Sequence, residues 1–227
     1  MPEIREMLLG GLGLELLYSF VIIVCSLMIY FGTKEIYELS SYKGIKYLRA
    51  SFLFFAIAYF FRSFIKIVFI IMDPPRIMNL SPLLFQFVSF FIFIYFSSMA
   101  VFYLIYSMMW KKWNGNSNRI YIFHALALAV SVISIYFNSA KIYLMINVII
   151  LLFIITMTYI AYNDSVKHKR KSNLYAVYIL LFVFWMLNVL EILIPQFLET
   201  FQLIIYLAST GIFLWILYKV LKKSGSN

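Results

Sequence analysis

The sequence predicts an all-α polytopic membrane protein, a seven-transmembrane-helix bundle forming a single domain over residues 1–227. Three observations carry that expectation. Of the 227 residues, 64% are hydrophobic, and mean hydropathy is +0.94; a soluble domain would be roughly half apolar. Apolar stretches of about 20 residues, the length a helix needs to cross a bilayer, run almost end to end. Most of the 19 Lys and Arg collect in alternate connections, at 34–49, 111–119, 163–173 and 219–227. Positive charge stays on the cytoplasmic side of a membrane. The pattern therefore predicts an external N-terminus, a cytoplasmic C-terminus and a multi-pass location in the cell membrane.

The first span, 8–32, holds Glu15 and Cys25, which is the single cysteine. Its leader, Met1-Pro2-Glu3-Ile4-Arg5-Glu6, is acidic, and no small-residue cleavage site follows the apolar run. The span is thus expected to stay as a helix rather than be cleaved as a signal peptide. The longest polar connection is 34–49, where Tyr37, Tyr42 and Tyr47 alternate with lysines. It suits an amphipathic segment at the headgroup boundary. The second span, 50–72, carries Tyr59, Arg62 and Lys66 on one helical face. The third, 83–110, opens after Pro82 and sets Gln86, Ser89, Phe93 and Ser97 at helical spacing. The fourth, 120–138, contains His124, and the fifth, 142–162, contains Asn147. In the sixth, 174–194, Asn188 and Glu191 share a face with Trp185 beneath them. The seventh, 197–220, carries the stripe Glu199, Gln202, Tyr206 and Ser209. No proline falls in the middle of a span, which predicts straight helices and argues against a transporter built on broken ones.

A weak internal repeat accompanies these spans. Tyr95, Ser98, Ala100 and Phe102 in the third recur as Tyr206, Ser209, Gly211 and Phe213 in the seventh. Tyr59 and Arg62 in the second match Trp185 and Asn188 in the sixth. Helices one to three and five to seven would then be two parallel copies joined by the fourth, a 3+1+3 design.

Ionisable groups in a bilayer core cost several kcal/mol unless paired, so Glu15, Arg62, Lys66 and Glu191 are the first functional candidates. At 1.5 Å per residue, Glu15 lies about 10 Å and Lys66 about 9 Å below the outer ends of their helices. An ion pair between these two is expected. Arg62, one turn deeper, would be left to seek an anionic ligand, since Glu191 is shallow. With Gln86, Asn188, Gln202 and Tyr59, these groups outline a polar pocket opening outward over an apolar, aromatic floor. The competing reading is a structural clamp of two cations and two anions. His124 has no second ligand near it in sequence and reads as a helix-packing residue.

Other classes are excluded by what is missing. There is no His-Glu-x-x-His, no Gly-x-Ser-x-Gly and no phosphate-binding glycine loop. No enzyme, metal or cofactor is expected. A net charge of +10 is explained by the topology and by anionic inner-leaflet lipid, so nucleic acid is not an expected partner. The topology is similar to that of G-protein-coupled receptors and of 3+1+3 sugar carriers. The Asp-Arg-Tyr and Asn-Pro-x-x-Tyr signatures are absent, however, and the likeness is one of topology alone. The expectation is a receptor-like or sensory membrane protein binding a small anionic ligand, with a cytoplasmic or membrane protein partner reading its basic loops. The alternatives are a small 3+1+3 carrier or channel, or a structural subunit without a ligand.

Overall fold

The computed structural model describes residues 2–71, 82–110, 113, 118–137, 140–167, 173–193 and 199–224. They form α1 (Pro2–Gly32), a short α2 (Lys34–Ser40), α3 (Lys43–Ile71), α4 (Pro82–Met109), α5 (Asn118–Phe137), α6 (Ala140–Lys167), α7 (Asn173–Leu193) and α8 (Glu199–Ser224). Seven long helices thus stand where seven apolar stretches were read. Five contain segments long and apolar enough to cross a membrane: Gly13–Ser40, Lys43–Phe64, Phe87–Met109, Arg119–Phe137 and Phe201–Val220. Leu144–Ile160 in α6 and Ile179–Leu190 in α7 are shorter apolar runs. The chain is a multi-pass helical membrane protein in contact with the lipid bilayer.

Neighbours close a ring. α1 packs on α3 and α8, α3 on α4, α4 on α6, α6 on α7 and α7 on α8, while α5 lies against α4 and touches α6. The bundle is apolar on both surfaces. Leu17, Phe20, Leu128, Ile149 and Trp215 are exposed, as side chains facing lipid should be. Phe52, Phe55, Phe184 and Phe213 are buried inside. Phe184 and Phe213 meet at 4.7 Å between ring centroids, edge to face, and both touch Phe55 at about the same range, 6.0 and 6.1 Å. Such rings lock by shape and quadrupole. That matters in lipid, where burial alone gives no advantage over the apolar surroundings.

Hydroxyls tie α3 to α4. Ser51 Oγ donates to the Ala100 carbonyl at 2.6 Å, and Ser107 Oγ to the Gly44 carbonyl at 2.8 Å. Small side chains permit this close approach, and the bond satisfies a hydroxyl that lipid could not.

The connection 34–49 is almost wholly helical, interrupted at Ser41 and Tyr42, and α2 within it has no buried residue. Ser41 adopts the left-handed conformation (φ 49°), and its N–H bonds the Tyr37 carbonyl. Gly44, Tyr47, Leu48, Ser51 and Phe52 keep a buried stripe at helical spacing, so α3 begins seven residues early. The lysines on its other face hide this stripe from a hydropathy reading. Tyr47 is buried in the core, edge-on to Tyr106 at 4.4 Å. Arg49 also has a structural role: its Nε donates to the Tyr30 carbonyl at 3.0 Å, and its guanidinium lies over the Tyr30 ring. A last-turn carbonyl of α1 is thereby capped.

The repeated letters in the third and seventh spans do not share neighbours. Phe102 stacks on Phe123 of α5, whereas Phe213 meets Phe52, Phe55 and Phe184. Tyr95 bonds His124 of α5, whereas Tyr206 stacks on Tyr18 of α1.

Removal of a central ring tests this core. Phe213→Ala should lower stability in detergent by about 2–3 kcal/mol, less than in a soluble core because the lipid reference is itself apolar. Leu214→Ala, on the exposed face next to it, should cost less than about 0.5 kcal/mol. Thermal unfolding of the two variants side by side checks the contrast.

Candidate polar site in the bundle

The charged centre joins α1 to α3. Arg62 donates from both Nε, at 3.0 Å, and Nη2, at 2.9 Å, to Oε1 of Glu15. Both side chains are largely buried, 18% and 11% exposed. The guanidinium also lies over the rings of Tyr59 and Phe93, at 5.8 and 5.9 Å. Ionic, hydrogen-bonding and cation–π contacts thus all offset its desolvation. The expected Glu15–Lys66 ion pair involves a side chain outside the described residues. α1 and α3 run antiparallel in a register that sets Glu15 opposite Arg62 and Tyr18 opposite Tyr59. The expectation that Arg62 is left uncompensated is corrected, since Glu15 pairs with it.

One turn further in, the layer is neutral. Tyr59 OH donates to Asn188 Oδ1 at 2.9 Å, and Tyr18 OH lies 3.1 Å from Tyr59 OH. A hydroxyl has one proton, and that of Tyr59 goes to Asn188. Tyr18 is therefore the donor in the second bond. The Asn188 Nδ2 group donates to the Phe184 carbonyl of its own helix at 2.9 Å, which fixes the amide with its oxygen toward Tyr59. Tyr18 stacks on Tyr206 of α8 at 4.8 Å and stands edge-on to Tyr59 at 5.7 Å. Four helices, α1, α3, α7 and α8, thus meet at one level, and the phenylalanine layer of Phe52, Phe55, Phe184 and Phe213 lies directly below.

The expected site residues divide accordingly. The structure brings together Glu15, Arg62, Tyr59 and Asn188. Gln202 is half-buried on α8, one turn from Tyr206. The side chains of Lys66, Gln86 and Glu191 lie outside the described residues. Tyr18 was missed, although it lies three residues from Glu15 on the same face of α1. Trp185 and Ser209 also border the layer. Among the described residues, no group of three His, Cys, Asp or Glu could hold a metal ion.

The chain matches no known family model, and no solved structure matches it. It is 29% identical over 213 residues to an uncharacterized protein of Archaeoglobus fulgidus, covering 92% of each chain. The likeness extends along nearly the whole bundle.

His124 lies apart from this layer. Its Nδ1 is 2.7 Å from Tyr95 OH and its Nε2 is 3.4 Å from Tyr103 OH, both on α4. Each ring nitrogen thus has a phenol partner, and the histidine fastens α5 to α4 as a packing residue would.

A double-mutant cycle measures the charged pair. Glu15→Gln and Arg62→Met should each destabilise by about 3 kcal/mol, because each breaks a largely buried ion pair. The double variant should lose much less than the sum, with a coupling of about 2 kcal/mol by thermal or chemical unfolding in detergent.

Proposed function

We propose that the protein is a receptor-like or sensory integral membrane protein that binds a small polar ligand in a site opening toward the outer face. The observation that carries this reading is the convergence of Glu15, Arg62, Tyr18, Tyr59 and Asn188 from three helices over a closed phenylalanine layer. Convergent polar groups on an otherwise apolar wall are the usual make-up of a small-molecule site. A packed aromatic floor favours sensing over transport, since a carrier needs a path past it. The guanidinium of Arg62 is already compensated by Glu15. An uncharged or zwitterionic ligand therefore fits this layer better than the simple anion that an unpaired arginine would have sought. Lys66, Gln86, Glu191 and Gln202 are the rim residues of this reading, and the cytoplasmic loops are the surface a protein partner would read.

The charge pattern supports seven spans with the N-terminus outside. A protease-cleavable tag at the N-terminus should be removed from intact cells, and one at the C-terminus only after permeabilisation. The reverse result would put the polar layer on the cytoplasmic side.

Ligand binding is tested in nanodiscs by melting the protein against panels of amino acids, polyols, amides and carboxylates. Stabilisation of several degrees by a zwitterion or neutral compound is expected, lost in Asn188→Leu. A response to carboxylates alone would restore the anion reading. Accumulation of the stabilising compound in proteoliposomes would favour a carrier. Silence across all panels, with the charged pair coupled as above, would leave a structural clamp.

A further inference from the structure

Of the six buried side-chain polar atoms without a hydrogen-bond partner among the described residues, two lie on the packed helices α7 and α8 one turn from the tyrosine layer, Trp185 Nε1 and Ser209 Oγ. Their exposures are 7% and 1%. Trp185 is on α7 between Asn188, in the tyrosine layer, and Phe184, in the phenylalanine layer. Ser209 is on α8 between Tyr206, in the tyrosine layer, and Phe213, in the phenylalanine layer. α7 and α8 pack together, and Phe184 touches Phe213. Both groups therefore sit in the same interval of the bundle, below the hydrogen-bonded layer and above the floor. Each orphaned group is costly in an apolar interior, and most such groups in native proteins have a partner, often a bound one.

The pair defines what that partner must be. An indole N–H can only donate, so Trp185 calls for a lone pair. A serine hydroxyl can donate to the same atom or accept from it. A cation is repelled by the indole donor. An anion would have to leave water for a chamber floored by phenylalanines. We infer that Trp185 and Ser209 form a buried subsite for one uncharged oxygen atom, a hydroxyl or carbonyl, at the bottom of the polar layer. The oxygen comes either from a bound water or from the neutral end of an organic ligand. In the second case the subsite rests on the ligand reading above. It then adds to that reading that the deepest part of the ligand is an uncharged alcohol or carbonyl group, below the Tyr59–Asn188 bond.

The test uses the full chain in lipid nanodiscs with 15N-labelled tryptophan. The chain has four tryptophans, and Trp185→Phe assigns the resonance. The Trp185 indole proton is expected in the hydrogen-bonded range and should shift in Ser209→Ala. A resonance typical of a free indole, unmoved by Ser209→Ala, overturns the subsite. Cross-peaks from that proton to water identify a bound water. Cross-peaks to carbon-bound protons identify an organic alcohol or carbonyl compound. Melting gives an independent reading: Ser209→Ala, which changes little volume, should lower Tm by about 2–4 °C if a bonded oxygen is lost. An unchanged or higher Tm is what removal of a group with no partner would produce, and it counts against the subsite. The two proposals fail separately. A bonded Trp185 with no response from any compound panel sinks the ligand reading alone. A free Trp185 in a protein that a ligand stabilises sinks the subsite alone.

Discussion

A charge carried into a bilayer must be compensated, and the Glu15–Arg62 pair shows how the bundle meets that constraint. Lipid offers neither ion nor dipole, so a lone carboxylate or guanidinium at this depth would be untenable. The pair fixes the register of α1 against α3. That register brings Tyr18 to Tyr59, and Tyr59 in turn reaches α7 through Asn188. Three helices are thus held in line by one ion pair and, a turn away, a short chain of hydrogen bonds.

Below that chain the means of cohesion changes. The phenylalanine layer has no polar atoms to satisfy and holds by interlocking edges and faces. In lipid the hydrophobic effect does not press helices together, so shape and directional bonds must do so. The bundle uses directional bonds in the upper layer and between α3 and α4, and shape at its centre. α5 follows the same rule at the periphery. It has broad exposed apolar surface and is fastened by stacked rings and by the two phenol bonds of His124. The two ring nitrogens of His124 each face a phenol of α4, so the contact holds the peripheral helix to the bundle.

Much of the fold was legible because it follows from composition. Apolar runs such as the one around Ile29 form long helices, and five of the seven long helices among the described residues are long and apolar enough to cross a membrane. The start of α3 was not legible. Lys43, Lys46 and Arg49 lower the hydropathy of a segment whose other face, Tyr47 and Leu48, is buried. Average hydropathy discards the side on which a residue sits, and an interfacial helix with one charged face then looks like a loop. The site was half legible. Depth estimates put Glu15, Arg62, Tyr59 and Asn188 in one outward zone, and the structure brings these four together. Depth did not show that Arg62 meets Glu15, because helix-end positions read from sequence carry an error of about one turn.

The recurrence of Tyr, Ser and Phe in the third and seventh spans shows why spacing alone cannot establish equivalence in such a chain. With 24 Phe and 18 Tyr among 227 residues, aromatic matches at a fixed offset arise readily. At these positions the matched rings meet different helices. Phe102 meets the peripheral α5, while Phe213 sits at the centre against α3 and α7. Ser209, the match of Ser98, lies beside the polar layer with its hydroxyl unpartnered among the described residues. The second and sixth spans behave differently. Tyr59 and Trp185 are both buried, and Arg62 and Asn188 are both half-buried. Each pair faces the interior, and the polar layer is built from them. The matches that retain physical meaning are therefore those at positions where the membrane leaves no freedom: a polar residue, at that depth, turned inward.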